Sequence, residues 1–401
     1  MDLQAKERRQ ERGLYVHVPF CAATCDFCGF YQKKPHGDDF ERYLEGIHRE
    51  VEFYGERMEG CSTVFWGGGT PGLLGPREMG GLAESIRPLL KAGGPDEWSV
   101  EMAPAFVTGR KLEALAAAGV NRISLGVQSF SEVTLEGLGR QHTRGQIFRA
   151  VERVRAAGIR NLNLDLIFGI PGQSVEAWRD DLKEAIDLEP EHISTYCLTL
   201  EEDTALWLRL SKGRAELDPD REAAFYETAW ALLESHGFEQ YEISNFSRPG
   251  AACRHNLNTW TMQEWLGLGP AAASQFGGWR YANIPDLEMW LEGLEKGELA
   301  WVERTEAGAA LLAQDALIFG IRMNRGVDLE RWSRRFGMVF SPVLEDRLAE
   351  WRDEGLVEAN ATDRLALTAK GRLLADRLGS ELLELPLLPR DPMAVQDAFS
   401  R

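Results

Sequence analysis

Between residues 14 and 200, short β-rich runs alternate with amphipathic helical stretches, and no other feature of the sequence constrains the fold as strongly. The runs Leu14–Pro19, Ser62–Trp66, Trp98–Ala103, Arg122–Val127, Asn161–Phe168 and His192–Leu200 are built mostly from β-branched, aromatic or leucine residues and predict six strands. Between them, apolar residues three and four apart predict helices over Phe40–Tyr54, Lys111–Ala118, Ile147–Ala157 and Val175–Leu188. Six such units predict an α/β fold, a partial (β/α)6 TIM-like barrel over 13–236. In a barrel of this kind the chemistry sits at the C-terminal ends of the strands.

A further helix is expected at Asp220–His236. The stretch 237–300, rich in Gly, Asn, Trp and Arg, reads as an irregular linking region packed on the barrel. From 301 to 385 the pattern changes to helix, helix, a short apolar turn at Gly355–Val357, and a stretch in which Thr368 is placed to cap an amphipathic helix. This predicts a small helical, winged-helix-like C-terminal domain. The tail from 384, with three prolines, is expected to be loosely held.

Winged helices often bind DNA, but charge argues against it here. Lys plus Arg number 45 against 63 Asp plus Glu, a net of −18 that repels phosphate backbones and anionic lipid. Nucleic acid is therefore excluded as a partner, and the C-terminal domain reads as a lid or docking module. No window approaches the ~18 apolar residues of a membrane span. The start, with Asp2, Glu7 and Glu11 among its basic residues, fits neither a signal nor a transit peptide. The expected location is the cytoplasm.

Six cysteines are too few for a disulfide framework, and three of them, Cys21, Cys25 and Cys28, crowd into one loop directly after the first strand. Three thiolates leave one metal position open. A zinc site completed by His17 or His36 would close it, whereas a 4Fe-4S cluster on three cysteines leaves one iron free for a ligand.

This C-x3-C-x2-C spacing, preceded by Tyr15-Val-His-Val-Pro-Phe20, resembles the radical S-adenosylmethionine superfamily. More narrowly, the chain is similar to the family of oxygen-independent coproporphyrinogen III oxidases and HemW-type heme chaperones, over most of its length. The resemblance implies a 4Fe-4S cluster on Cys21, Cys25 and Cys28, with S-adenosylmethionine on the open iron. It places Phe27 against the adenine and brings Tyr15 to the cofactor from the first strand. Gly68, Gly69 and Thr70, in Gly-Gly-Gly-Thr-Pro, correspond to the family's motif for the methionyl amino group. Glu101, Gln128 and Asp165 supply carboxylate and amide groups suited to ribose hydroxyls and the sulfonium. Arg140 suits the methionine carboxylate. One small departure is Glu101-Met-Ala-Pro104, where relatives more often have Asn before the proline.

Two features favour the chaperone branch: Phe30 stands where the oxidases have a fourth cysteine, and few residues precede Cys21. A third is Arg254-His255-Asn256-Leu257-Asn258-Thr259-Trp260, which resembles the His-Asn-x-x-Tyr-Trp motif of HemW-like proteins, with Thr259 replacing the tyrosine. A neutral imidazole is a natural axial ligand for heme iron, so His255 is the expected heme-binding residue, flanked by Trp260 and Trp265. Ala273 stands where relatives often show His, and Cys253 reads as a small buried residue. The expected function is heme binding and transfer to an acceptor protein. The alternative is a radical enzyme that acts on a porphyrinogen.

Overall fold

The computed structural model describes residues 11–199, 204, 206–208, 219–359 and 363–390. Residues 1–10, Leu200 and the tail from 391 onward, on which some of the expectations above fall, lie outside them. Six parallel strands form in chain order: β1 (Gly13–Val18), β2 (Thr63–Gly68), β3 (Glu97–Met102), β4 (Arg122–Gln128), β5 (Asn161–Phe168) and β6 (His192–Cys197). Helices Asp39–Tyr54, Gly109–Ala118, Arg144–Ala156, Val175–Asp187 and Pro219–Ser235 match expectation to within a turn. Within the barrel two further helices, Pro76–Ile86 and Glu132–Gly137, have no counterpart in the sequence reading, and neither do Arg254–Trp260 and Leu287–Glu295 beyond it. In the first, the Gly80-Gly81 pair lowers helix propensity, yet Met79, Leu82, Ala83 and Ile86 still form a buried stripe.

Along each parallel strand successive side chains face opposite sides. One set, including Leu14, Val16, Trp98, Val100, Ile123, Leu125, Leu162 and Leu164, joins the helices in the main apolar core. The other set is polar. Tyr15, Glu101, Arg122, Ser124, Asn163, Asp165, Ser194 and Tyr196 line an interior chamber of about 240 Å³. Asn163 organises it, donating to Ser124 Oγ at 2.7 Å and Asp165 Oδ1 at 2.8 Å while accepting from His192 Nδ1 at 2.6 Å. A (β/α) barrel interior is commonly filled by Val, Ile and Leu; this one is a hydrogen-bonded network.

The region 237–300 departs from its reading as irregular. β7 (Glu239–Glu242) and β8 (Asn245–Ser247) extend the sheet beyond β6. On the other side β9 (Trp265–Leu268) pairs in parallel with β1, followed by β10 (Ala273–Phe276), β11 (Trp279–Asn283) and β12 (Trp301–Glu306), so the sheet has 12 strands. Most of these strands are three to five residues long, too short to show a hydrophobic period.

From Ala309 to Glu384 the chain is mainly helical and forms a second core around Leu317, Trp332, Leu348, Trp351 and Leu378, which also takes in Ile243 and Met262. Thr368 caps its helix, accepting from Gly371 N at 3.1 Å. The start of the tail is better held than the sequence suggests. Leu387–Pro389 pairs with Met338–Phe340, because Leu385 and Leu387 pack against the second core.

Glu50, fully buried on the helix Asp39–Tyr54, fastens the β9–β10 corner to the barrel. It accepts from Gly269 N at 2.8 Å and Asn283 Nδ2 at 2.6 Å. Burial pushes its carboxyl up to about 8, and burial together with Asp165 does the same to Glu101. A carboxyl whose folded value lies above its unfolded value of about 4.5 stabilises the fold fully below 4.5, and this contribution is lost as pH rises through 8. Buried histidines with lowered values act in the opposite sense only below about 6.5, so the clean window is pH 6.5 to 8. Stability there is expected to fall by up to about 1.4 kcal/mol per pH unit per group, levelling off above 8. Glu50→Gln should flatten that slope by one group's share in denaturant unfolding at stepped pH, with Glu101, Asp165 and Glu242 still raised by burial; an unchanged slope would assign the titration elsewhere.

Candidate cofactor site

The ladder between β1 and β2 ends at Val18 and Gly68, but its backbone bonding continues. Gly69 N donates to Val18 O at 2.8 Å and Thr70 N to Phe20 O at 2.7 Å, which carries Thr70 alongside the first thiol. Cys21 Sγ lies 3.5 Å from Thr70 Oγ1. The glycines are required by protein contacts as much as by any ligand. A Cβ on Gly69 would lie 2.7 Å from Phe20 O, and one on Gly68, at φ +100°, would lie 2.6 Å from the His17 ring.

Cys21, Cys25 and Cys28 are free thiols, all half-buried at the C-terminal mouth of the barrel. Burial pushes the Cys21 and Cys28 thiols up, opposed by the Thr70 hydroxyl and by the Phe30 backbone respectively. Arg140 faces them, its Nη1 3.3 Å from Cys25 Sγ and its Nη2 donating to Gly126 O at 2.8 Å. The remaining nitrogen, Arg140 Nε, is buried and has no partner among the described residues.

These groups line a cavity of about 770 Å³. It brings together Cys21, Cys25, Cys28, Phe27, Gly68, Gly69, Thr70, Glu101, Gln128, Arg140 and Asp165. Glu101 and Asp165 also line the polar chamber beneath, so they form the partition between the two spaces. Burial raises the Asp165 carboxyl, opposed by hydrogen bonds from Ser124, Asn163 and Ser194. Gln128 sits where β4 is bulged, at φ +67°, a left-handed conformation that costs a non-glycine residue roughly 1–3 kcal/mol. Phe27 joins Leu138, Ile167, Ile170, Leu198 and Leu206 in an apolar cluster separate from the main core.

Two expected residues lie elsewhere. Tyr15 lines the lower chamber, with its hydroxyl 3.2 Å from His17 Nδ1. His255 lies at the opposite end of the barrel from the thiols, beneath the first residues of β1, β2 and β3, with Nδ1 3.1 Å from Thr63 Oγ1. Trp260 and Trp265 do not flank it. Trp260 packs on Phe319 at 5.7 Å and Trp265 Nε1 donates to Ala273 O, while the ring against His255 is Phe65, tilted by 30° at 5.4 Å. Cys253 is buried, with Sγ 3.4 Å from Glu97 Oε1.

Some lining residues escape the sequence reading. His142, which follows Arg140 by two positions, donates Nε2–H to Val127 O at 3.1 Å, and burial holds its ring near 4 and neutral. Tyr196, at the end of β6, lines both spaces, and the rule that chemistry gathers at strand C-termini points to it. The histidines offered as a fourth zinc ligand are placed differently. His17 has both ring nitrogens engaged, with Tyr15 and with Tyr31 O, and His36 is exposed.

Three thiols on one loop at the mouth of a parallel barrel, faced by a glycine-rich seam and a half-buried guanidinium, define the radical S-adenosylmethionine class of protein. The chain matches the Radical SAM superfamily over residues 15–185 and the HemN C-terminal domain over residues 312–374. It is 31% identical to the heme chaperone HemW of Bacillus subtilis, over 93% of this chain and 100% of that one. It is 38% identical to the heme chaperone HemW of Escherichia coli, over 91% of this chain and 96% of that one. The chain belongs to the HemW family of radical SAM proteins. The solved structure of coproporphyrinogen III oxidase (HemN) from Escherichia coli superposes with a TM-score of 0.81 over 94% of this chain and 91% of that one, at 23% identity, which shows the shared fold.

The superfamily's cofactors are a 4Fe-4S cluster and S-adenosylmethionine, and the residues fit both. Three thiols supply the cluster's donor set, and the partnerless Arg140 Nε leaves capacity for an anionic group. Gln128→Gly is expected to raise stability by about 1 kcal/mol by releasing the left-handed strain. It should also raise, about three- to tenfold, the S-adenosylmethionine concentration needed to perturb the cluster's spectrum, the worth of one hydrogen bond. Denaturant unfolding and an anaerobic titration check the two halves; unchanged affinity would remove Gln128 from the contact set.

Proposed function

We propose that this protein is a heme chaperone, which binds heme and passes it to an acceptor protein in the cytoplasm. The observation that carries the reading is similarity over essentially the whole length of proteins named heme chaperone HemW, at 31% and 38% identity. Phe30, 70% exposed at the rim of the cavity, stands where the oxidases resembling this chain have a fourth cysteine, and it favours the chaperone over the oxidase. No described helix is long and apolar enough to cross a membrane, and all six thiols are free.

Cys21, Cys25 and Cys28 would hold the cluster. Thr70, Glu101, Gln128, Arg140 and Asp165 would hold S-adenosylmethionine, with Phe27 along its apolar side. When bound, the cluster supplies an open iron for S-adenosylmethionine and an electron for its cleavage. The rest is done by the protein's own groups. Glu101, protonated near neutral pH, has a hydrogen to donate to a ribose hydroxyl, and the Gly68 N–H fixes its carboxyl. Arg140 keeps one buried donor free for the methionine carboxylate. His255, held neutral by burial near 4, is in the protonation state that ligates heme iron.

The test is an anaerobic hemin titration of cluster-loaded protein, followed by transfer to an apo-hemoprotein, with coproporphyrinogen III incubated in parallel. Saturation near one heme per chain, transfer, and no decarboxylation are expected. Decarboxylation with stoichiometric consumption of S-adenosylmethionine would establish the oxidase instead.

A further inference from the structure

Among the described residues that line the cofactor cavity, Gln128 is the one non-glycine with a left-handed backbone, at φ +67°. Ser129 N donates to Val127 O at 2.9 Å across it, which closes a three-residue turn of the rare, strained γ class. The turn sits in the β4 bulge, where the pairing with β5 steps from Gly126–Asp165 to Gln128–Leu166. It brings the Gln128 amide over the bare backbone of Gly126, where a Cβ would lie 3.0 Å from Gln128 Nε2 and 3.2 Å from Arg140 Nη2. A strained conformation of this kind persists only where its surroundings over-determine it.

Two side chains that escape the sequence reading supply that restraint. Asp181, 5% exposed on the helix Val175–Asp187 and outside the cavity lining, accepts from Phe130 N and from Ser129 Oγ, both at 2.7 Å. Ser129 Oγ in turn accepts from Ser131 N at 3.1 Å. Burial raises the Asp181 carboxyl to about 6, so it is still largely ionised at neutral pH and both of its bonds are charge-assisted. On the preceding side His142 donates its Nε2–H to Val127 O at 3.1 Å, and its neutral ring has no second N–H to offer elsewhere. The chain is thus pinned on both flanks of Gln128, by a helix on one side and by the segment that carries Arg140 on the other.

We propose that Asp181 and His142 are positioning residues: by pinning the turn on either flank they hold Gln128 in the conformation from which its amide meets S-adenosylmethionine. This rests on Gln128 being a contact of that cofactor. A binding group held by hydrogen-bonded neighbours keeps its aim without reorganising when the ligand arrives.

A double-mutant cycle on cluster-loaded protein tests this, read as the S-adenosylmethionine concentration that half-perturbs the cluster's spectrum under anaerobic conditions. Asp181→Leu and His142→Leu should each raise that midpoint about three- to tenfold, the worth of the one Gln128 hydrogen bond. Asp181→Asn and His142→Gln, which keep a polar group in place, should restore most of it. Combined with Gln128→Gly, neither leucine substitution should shift the midpoint further. If a leucine variant does not fold, Ser129→Ala, which removes only the hydroxyl between the turn and Asp181, enters the same cycle with the same expectation. A midpoint unmoved by the single substitutions, or moved equally with and without Gln128→Gly, overturns the positioning role. A midpoint unmoved by Gln128→Gly alone overturns the cofactor contact beneath it, and the positioning role with it.

Discussion

The contact on which the cofactor site depends is the seam where β1 and β2 run out. The pairing of Val18 with Gly68 would ordinarily end the ladder, and the loop that follows would be free to wander. Two further backbone bonds, Gly69 N to Val18 O and Thr70 N to Phe20 O, extend the sheet's geometry into the cysteine loop. A loop of thiols thereby inherits the rigidity of a parallel sheet that is covered on its outer face by the main core. Only a residue without a side chain can stand at Gly69, since the space a Cβ would take holds the Phe20 and Val18 carbonyl oxygens.

The second organising constraint is the period of two along the strands. It sends Leu, Val, Ile and Trp outward to the helices and leaves Arg122, Ser124, Asn163 and Asp165 inside, where each must find partners or lose stability. Asn163 satisfies most of them, and the network runs from Tyr241 through His192 and Asn163 to Asp165 beneath the cofactor cavity. The floor of the cavity is therefore a hydrogen-bonded partition rather than a packed apolar plug. Glu101 and Asp165 can sit half-buried there because the groups below them are polar.

Much of this is legible in the sequence, for physical reasons. The six parallel strands read clearly because all but the second are followed by a helix whose apolar stripe shows in the sequence, and the thiols read clearly because their spacing follows directly on the first strand. Eleven of the expected site residues, from Cys21 to Asp165, share one cavity because they fall at the C-terminal ends of neighbouring strands. What does not read is whatever depends on long-range pairing. The pairing of β9 with β1 joins residues about 250 apart, and its short strands leave no periodic trace. The left-handed turn at Gln128 has no glycine to announce it. His255 illustrates the limit best. The motif resemblance leads to the expectation of a heme-binding residue but carries no information on which end of the barrel the helix would cover.

The most direct test of the seam is Gly69→Ala, followed by iron and sulfide analysis of the reconstituted protein alongside far-ultraviolet circular dichroism. The account predicts an intact helical signal with clearly less than a full cluster per chain, because the added Cβ displaces the Phe20 carbonyl and with it the first thiol. A protein that folds normally and holds a complete 4Fe-4S cluster would contradict it.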